Sequence, residues 1–280
     1  WRPICADGLC YGKARFAGGS LDANGNPLQD PQPDWVDLNK VAIPQADEQM
    51  RLLANLMLHM NQAPMPRFWY FPHGKKAVVV MTGDDHLSGG TAGRFEIFKN
   101  DSEPGCSVAD WTCIRSTSYV YAGSIGDAAA ASYAQDGFEI SLHLNTGCAN
   151  FTPTSLRGFF SDQLAGFAST YPSLEPVETH RIHCLVWSDY STLPIVSLEN
   201  GIRLDTSYYY WPSSWVQDRP GFFTGSGLPM RHAKANGEII DVYQSDTKMT
   251  DESGQSFPFT PATLFSRAVG PEGQPNRPET

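Results

Sequence analysis

Two adjacent carboxylates and an imidazole, Asp84, Asp85 and His86, close the stretch KKAVVVMTGDDH at residues 75–86. Neighbouring carboxylates repel each other, and they persist most easily where a cation keeps one ionised while the other acts as a base. The pair therefore favours metal-assisted proton transfer. The alternative is a turn in which the aspartates cap the following helix.

Two histidines further along the chain could complete such a metal site. His143 lies in EISLHLN and His183 in THRIHCLVW, and both stretches are predicted strands. One carboxylate and two imidazoles that leave open positions form a catalytic metal site, which polarises a carbonyl and lowers the pKa of bound water. The second carboxylate could accept that water's proton. By contrast, we expect His59, His73 and His232 to be structural, because a lone histidine is more often packed than ligating.

The elements that must position these residues are strands of a sheet. Residues 77–81 form an unbroken apolar run, typical of a strand buried on both faces. Strand and helix patterns alternate between residues 75 and 211, which predicts an α/β fold with a mainly parallel sheet. The further strands are predicted at residues 117–121, 138–142, 179–187 and 201–210. The carboxyl ends of such strands meet at one edge, where α/β folds keep their chemistry.

Helices are predicted on either side of these strands. After Pro44, apolar residues recur at helical spacing through residues 52–60 and indicate an amphipathic helix packed on another element. A second helix is predicted at residues 124–135, where Ser124 looks like an N-cap, and a third at residues 155–169. Near the C-terminus, Asn236-Gly237 supplies the turn of a predicted β-hairpin.

Composition restricts the class of partner. The chain has 280 residues and a net charge of −10, and we find no cluster of basic residues, so a nucleic acid or an anionic membrane is not expected as a partner. No apolar segment approaches the length of about 20 residues that a membrane span requires. We expect a monomer. Because the sequence starts at Trp1 without an initiator methionine, we expect a mature or excised part of a longer precursor.

The six cysteines indicate disulfides. Cys5 with Cys10 and Cys106 with Cys113 form local pairs, and Cys148 and Cys184 remain. An even count with local pairs indicates an oxidising compartment, so we expect a secreted, extracellular or periplasmic protein. A Cys148–Cys184 disulfide would tether the two histidine segments to each other. Side chains alternate along a strand, so Arg181 and His183 should share a face, with His180 on the other.

Several motifs together carry a family resemblance: TGDD at 82–85, GFEISLHLN at 137–145, Arg181, and LDTSYYYW at 204–211. Over residues 75–246 the chain resembles the polysaccharide deacetylases of the NodB-homology type, carbohydrate esterases related to family 4, as a divergent member. The resemblance implies a distorted, incomplete (β/α) barrel. Composition adds an irregular N-terminal arm, and the Asn236-Gly237 turn adds a C-terminal β-hairpin. We therefore divide the chain into an arm and helix packed on the barrel (1–74), a catalytic barrel (75–269) and a flexible tail (270–280).

The resemblance also implies roles for individual residues. Asp84 would be the catalytic base, Asp85 and His143 metal ligands, Arg181 the residue that orients the base, and Asp205 a residue that positions the site. Aromatic side chains would bind the substrate: Trp187, Tyr208 and Trp211. A divalent metal is implied, and zinc is expected, although cobalt, nickel or manganese also suits Asp and His ligands.

The sequence departs from the family pattern in two places. The family's second ligand histidine, four residues after the first, is replaced here by Gly147, and His183 occupies a position where the family usually has proline. We infer that His183 supplies the missing ligand. The motif that provides the catalytic acid is not visible, and the possible substitutes are His86, His180, His232 and Asp246.

Three functions compete at this point. The first is a secreted, metal-dependent deacetylase that removes N- or O-acetyl groups from an acetylated polysaccharide. The second is a non-catalytic carbohydrate-binding protein on the same fold, and the third is a metal-dependent hydrolase of another amide or ester. The pair Asp84 and Asp85 favours catalysis, because a binding face alone does not need it.

Overall fold

The structure is a computed structural model of the chain. It describes residues 45–61, 63, 78–86, 89–186, 188, 191–207, 227–234 and 236–247, together with the short segments 5–6 and 9–10. Its strands are β1 (Cys5–Ala6), β2 (Leu9–Cys10), β3 (Thr82–Asp84), β4 (Thr117–Val120), β5 (Glu139–Leu144), β6 (Thr179–Ile182), β7 (Leu204–Asp205), β8 (Met230–Ala233) and β9 (Ile239–Gln244). Its helices are α1 (Gln45–Met60), α2 (Gly90–Asp101), α3 (Asp127–Gln135), α4 (Pro153–Thr170) and α5 (Thr192–Glu199), and a 3₁₀ turn spans His183–Leu185.

A seven-stranded sheet carries the candidate residues. Its strands lie in the order β3-β4-β5-β6-β7-β9-β8, and the pairs from β3 through β9 are parallel. Helices α2, α3, α4 and α5 each connect two successive parallel strands, as such crossovers require. The predicted α/β fold with a mostly parallel sheet is confirmed. Among the described strands β3 and β8 are the two ends of the sheet, so the incomplete barrel itself stays a prediction.

The first strand of this sheet is shorter and more exposed than predicted. β3 begins only at Thr82, and the preceding Val79 and Val80 are 54% and 63% exposed. The prediction of a strand buried on both faces over residues 77–81 is wrong for these valines. The reason is that Val79 and Val80 lie before Thr82, where the register pairing with β4 begins, so they are not part of the sheet.

The two faces of the sheet differ in chemistry. The parallel registers align one set of side chains on what we call the site face: Asp84, Tyr119, Ser141, His143 and Arg181. The other face, called the helix face, carries Ser118, Leu142, His180 and Asp205. Helices pack on it: the Thr91 hydroxyl of α2 lies 2.7 Å from Ser118 Oγ, and the Phe160 ring of α4 lies 5.3 Å from the His180 ring.

The predicted helices are confirmed with changed ends. α4 starts at Pro153, where Thr152 and Ser155 form a capping box. α3 begins at Asp127 after the N-cap residue Gly126, so the prediction that Ser124 caps this helix is wrong. The Ser124 hydroxyl instead donates a hydrogen bond to Asp85 Oδ2.

The predicted C-terminal hairpin is confirmed. Lys234 N donates to Glu238 O at 2.8 Å, and Gly237 between them has a φ of +87°, a left-handed conformation that glycine adopts without steric cost. The connection places β8 beside β9 at the end of the sheet. The predicted tail at residues 270–280 lies outside the described residues.

Two disulfides confirm two of the three predicted cysteine pairs. Cys106 is joined to Cys113 and Cys148 to Cys184. Cys5 and Cys10 are register partners in the antiparallel pairing of β1 with β2, and the disulfide between them stays a prediction.

The internal contacts of the chain divide it into two compact units. One unit comprises Val80–Ser207 and Arg231–Gln244 and contains the candidate site. The other unit includes α1, in which Leu52, Leu53 and Met57 are 55–65% exposed. The division at residue 74 and the packing of this helix stay predictions. None of the described helices is both long and apolar enough to cross a membrane.

Candidate metal centre

The candidate site forms where β3, β5 and β6 end. Asp84 is the last residue of β3, and His143, one residue before the end of β5, is paired in register with Arg181 of β6. β6 ends at Ile182, so His183 lies in the 3₁₀ turn and not in a strand that continues to residue 187, as was predicted. The reason is that Cys184 has a φ of 58°, which an extended strand cannot accommodate.

The turn nevertheless brings the two histidines into contact. His143 Nε2 lies 3.1 Å from His183 Nδ1, and the ring centroids are 5.2 Å apart. Asp84 approaches from the third strand, with its Oδ2 3.8 Å from His143 Nε2. The structure therefore brings together Asp84, His143 and His183, which the sequence separates by up to about a hundred residues.

His143 is held in its neutral form. It is 1% exposed, and burial lowers the pKa of its imidazole to about 4, against the opposing effect of the Asp84 carboxylate. Burial also lowers the pKa of His183, and the nearby His86 adds to that effect. Neutral imidazoles keep a nitrogen lone pair available, which is the form that binds a metal.

The Cys148–Cys184 disulfide lies next to this histidine pair. Cys184 follows His183 in the turn, and Cys148 lies a few residues beyond His143. The bond thus links the two segments that carry the imidazoles, as the sequence predicts. Both cysteines have left-handed backbone conformations, with φ values of 57° and 58°.

The second aspartate is held by two residues whose contribution the sequence did not indicate. Asp85 Oδ2 accepts the hydrogen bond from Ser124, and Asp85 Oδ1 lies 3.2 Å from His86 Nδ1. His86 Nδ1 is also 3.7 Å from Asp84 Oδ1. Ser124 was interpreted as a helix cap, and only the three-dimensional path of the loop after β4 reveals its contact with Asp85.

Tyr121 is a further site residue that the sequence analysis missed. Its ring lies 5.1 Å from that of His143, 5.8 Å from that of His183 and 6.4 Å from that of His86. Burial, with the charges of Asp85 and Asp84, raises the pKa of Tyr121 to about 12, so its hydroxyl stays protonated at neutral pH. The alternation of side chains along a strand could have indicated this residue, because Tyr121 lies two residues beyond Tyr119, which is on the site face.

The residues present fit a divalent metal ion. Two nitrogens bound to one tetrahedral zinc at about 2.0–2.1 Å each are about 3.3–3.4 Å apart. The 3.1 Å between His143 Nε2 and His183 Nδ1 is close to that value, and an aspartate beside two imidazoles is a donor set that zinc accepts. His143 and His183 would supply the nitrogen pair.

A different trio is clustered more tightly. It consists of Cys148, His183 and Cys184, whose donor atoms all lie within 4.8 Å of one another. Within the described part of the chain, this is the group of three metal-ligating side chains that meets that limit. Its sulfurs are joined as a disulfide, and a disulfide sulfur lacks the thiolate charge that binds metals. Neither the predicted ligands Asp85, His143 and His183 nor Asp84 with the two histidines is gathered within that limit.

Arg181 lies on the site face, as predicted. Its Nε donates to the Thr206 carbonyl oxygen at 3.4 Å, and its register partner is His143. Its positive charge also contributes, after burial and the effect of His183, to lowering the pKa of His143.

Asp205 does not join this cluster. Its register partner is His180, which puts both side chains on the helix face, and Asp205 is 1% exposed. Its Oδ1 accepts hydrogen bonds from the Ser207 amide at 2.7 Å and from the Ser207 hydroxyl. The register thus separates Asp205 from the other site residues, and its predicted catalytic role stays a prediction.

The remaining predicted residues divide into two groups. Trp187, Tyr208 and Trp211, the predicted substrate-binding residues, lie outside the described residues. Among the candidates for the catalytic acid, His180, His232 and Asp246 are buried, at 0%, 1% and 8% exposure. His86 has a side chain that is 53% exposed and lies beside both aspartates.

Comparisons with known proteins give only distant similarities. A protein assigned as a polysaccharide deacetylase from Mycobacterium smegmatis aligns with a TM-score of 0.40 and 13% identity over 64% of this chain and 61% of its own, so this chain spans about three fifths of that protein. A family 4 carbohydrate esterase from Streptomyces lividans, solved in complex with acetate, aligns with a TM-score of 0.37 and 12% identity over 68% of this chain and 88% of its own. Neither a family model nor a curated protein sequence matches the chain. TM-scores below 0.5 carry no argument about function, which therefore depends on the site itself.

Proposed function

We propose that this chain is a metal-dependent hydrolase that removes acetyl groups from an acetylated polysaccharide. The observation that supports the proposal is the convergence of His143, His183 and Asp84 at the ends of parallel strands, with 3.1 Å and 3.8 Å between the facing atoms. Three such groups on a polar face, beside a partly exposed histidine, suit hydrolysis better than passive binding of a sugar. The carbohydrate-binding alternative does not account for them.

In this proposal Asp85, His143 and His183 hold the ion, and zinc is the expected metal. A divalent ion bound there supplies Lewis acidity to the acetyl carbonyl and lowers the pKa of a water molecule. The Ser124 hydroxyl and His86 orient Asp85, as outer-shell partners commonly orient metal-binding carboxylates. The neutral imidazole of His143 is ready to bind without first losing a proton.

Asp84 acts as the base. Its distance of 3.8 Å from His143 Nε2 puts it next to the ligand nitrogens, within reach of a water molecule between them. Arg181, on the same face and paired in register with His143, would hold Asp84 in place. Protonated Tyr121 offers a hydrogen-bond donor for the oxygen that becomes negative as water adds to the carbonyl.

His86 is the proposed acid that protonates the leaving group. It is the candidate that lies beside the aspartates and is half exposed to solvent, with Nδ1 facing Asp85. The buried His180 cannot reach a polysaccharide in this structure.

The substrate and the location complete the proposal. Trp187, Tyr208 and Trp211 would stack on sugar rings, which aromatic side chains bind well. The disulfides Cys106–Cys113 and Cys148–Cys184 support secretion, because such bonds persist in oxidising compartments. We propose that the protein acts as a monomer.

The experiment measures acetate release by the purified full chain from one N-acetylated and one O-acetylated polysaccharide, before and after removal of metal with a chelator. We expect release that stops after chelation and returns with zinc. Asp84→Asn should keep bound metal but lose release by a factor of at least about 100, the usual contribution of a general base. Undiminished turnover by this variant would show that Asp84 is not the base. Release of another acyl group in place of acetate would instead favour the wider class of amide and ester hydrolases.

A further inference from the structure

The trio Cys148, His183 and Cys184 has a use beyond linking the two histidine segments. All three donor atoms lie within 4.8 Å of one another, and each residue is partly exposed. We propose that, once the Cys148–Cys184 disulfide is reduced, the two thiolates and the His183 imidazole bind a soft divalent ion of the Zn²⁺ or Cd²⁺ type. This second site requires neither aspartate and does not depend on the proposed function.

The backbone already brings the three donors to one place. Cys184 directly follows His183 in the 3₁₀ turn, and the Cα atoms of Cys148 and Cys184 are 5.3 Å apart. Two thiolates on one tetrahedral zinc, each at about 2.3 Å, are separated by about 3.8 Å. Side chains on Cα atoms at this distance can open to that separation by rotation about χ1.

The left-handed conformations of both cysteines make such an opening feasible. Residues with a Cβ avoid this region of backbone space, so the φ values of 57° and 58° at Cys148 and Cys184 are conformations that the surrounding structure must maintain. The disulfide is one of those restraints. When it is cut, rotation about χ1 of each cysteine lets the sulfurs separate to the distance that an ion requires, while the backbone keeps the donors together.

The reduction is a two-electron step with a defined balance. A phosphine reductant attacks one sulfur and breaks the S–S bond. Hydrolysis then gives the phosphine oxide, whose oxygen comes from water, and leaves two thiols. Each thiol loses its proton to solvent as its sulfur binds the ion.

His183 is shared between the two sites. Its Nδ1 lies 3.1 Å from His143 Nε2, so the same imidazole serves either the hydrolytic site or the thiolate site. Thiolates bind soft ions more tightly than carboxylates do, so reduction in the presence of zinc should draw His183 away from His143. This consequence alone rests on the proposed function.

The test follows the alkylation of each cysteine in the reduced full chain, freed of phosphine, with and without Zn²⁺. Peptide mass spectrometry gives the rate at each position. We expect zinc at ten times its dissociation constant to slow alkylation of Cys148 and Cys184 by about tenfold, because only the free thiols react. Cys106 and Cys113, reduced in the same sample, are internal controls whose rates should not change. Equal rates at Cys148 and Cys184 with and without zinc would overturn the proposal.

Variants separate this site from the hydrolytic one. His143→Ala removes the hydrolytic ligand pair and should keep the protection, whereas His183→Ala should weaken it. Loss of protection in His143→Ala would mean that zinc acts from the hydrolytic site, and would overturn the proposal.

Cobalt(II) gives an independent readout: the reduced chain should show a thiolate-to-cobalt charge-transfer band that the oxidised chain and the double variant Cys148→Ser/Cys184→Ser do not show. A band of equal strength in the double variant would contradict the assignment. None of these readouts uses acetate release, so failure of the proposed function leaves them interpretable.

Discussion

His143 Nε2 lies 3.1 Å from His183 Nδ1, although 40 residues separate the two histidines in the chain. Two neutral imidazoles at this distance need a hydrogen between them or an ion facing both lone pairs. Burial keeps His143 neutral, and the Cys148–Cys184 disulfide restrains the segments on which the two rings lie. The pair is therefore suited to binding a metal ion.

The first prediction concerns this pair. His183→Ala should lower zinc affinity by more than about 100-fold, because losing an outer-shell partner alone costs about 10–100-fold and a direct ligand contributes more. Titration with a competing metal indicator measures the affinity. His59→Ala, at an exposed position of α1, is the matched control and should bind zinc as the unaltered chain does. If His183→Ala binds zinc as tightly as the control, His183 is structural.

The second prediction concerns the hydrogen bond from Ser124 to Asp85. Ser124→Ala removes the donor that fixes the Asp85 carboxylate, so zinc affinity should fall by about 10–100-fold. Ser132→Ala, at an exposed position of α3, should leave affinity unchanged. Equal affinities of the two variants would mean that the hydroxyl contributes nothing to the site.

The third prediction concerns the pH dependence of stability. Burial lowers the pKa of His180, whose Nε2 lies 3.1 Å from Ser197 Oγ, below its ordinary value of 6.5. Below about pH 6.5 the unfolded chain therefore binds a proton at His180 that the folded chain does not, and stability falls as pH falls. The effect of one such group is at most about 1.4 kcal/mol per pH unit.

Denaturant unfolding between about pH 7 and pH 5 measures this slope. His180→Gln should reduce it, whatever the variant's stability at neutral pH, while His59→Gln should not. An unchanged slope in His180→Gln would show that His180 takes up its proton equally well in the folded chain.

The fourth prediction concerns Gly83 in β3. A Cβ built there would lie 2.9 Å from Arg94 Cζ, and the Arg94 guanidinium donates to Ser118 Oγ at 2.7 Å. Gly83→Ala should displace the arginine and lower the free energy of unfolding by about 1.5–3 kcal/mol, the value of a hydrogen bond to a charged group. Gly158→Ala, within α4 and with open space at its Cβ, should instead raise stability by about 0.5–1 kcal/mol. Thermal unfolding of both variants checks that the two substitutions change the free energy of unfolding in opposite directions. A Gly83→Ala variant as stable as the unaltered chain would show that Arg94 moves away without cost.

Part of this architecture could be predicted from the sequence. The alternation of helical and strand patterns specified the parallel sheet, because each parallel pair needs a crossover helix. Counting cysteines left Cys148 and Cys184 as partners, and the structure joins them. The convergence of His143 and His183 followed from the expectation that strands of such a sheet end at one edge.

The remainder depends on register and loop paths, which local patterns do not encode. A shift by one residue moves a strand side chain to the other face, and the motif that indicates Asp205 does not specify the register that pairs it with His180 on the helix face. The left-handed backbone at Cys184 ends β6 before His183. Neither the cysteine nor the residues next to it in the sequence indicate this conformation. Contacts such as Ser124 with Asp85 join positions 39 residues apart, and no sequence periodicity reports them.

The most direct test of the central claim is an anomalous difference map at the zinc absorption edge from crystals of the zinc-loaded, oxidised chain. The proposal predicts a peak within about 2.0–2.2 Å of both His143 Nε2 and His183 Nδ1, with an aspartate oxygen as a further ligand. A zinc-loaded crystal without a peak between those two nitrogens would contradict it.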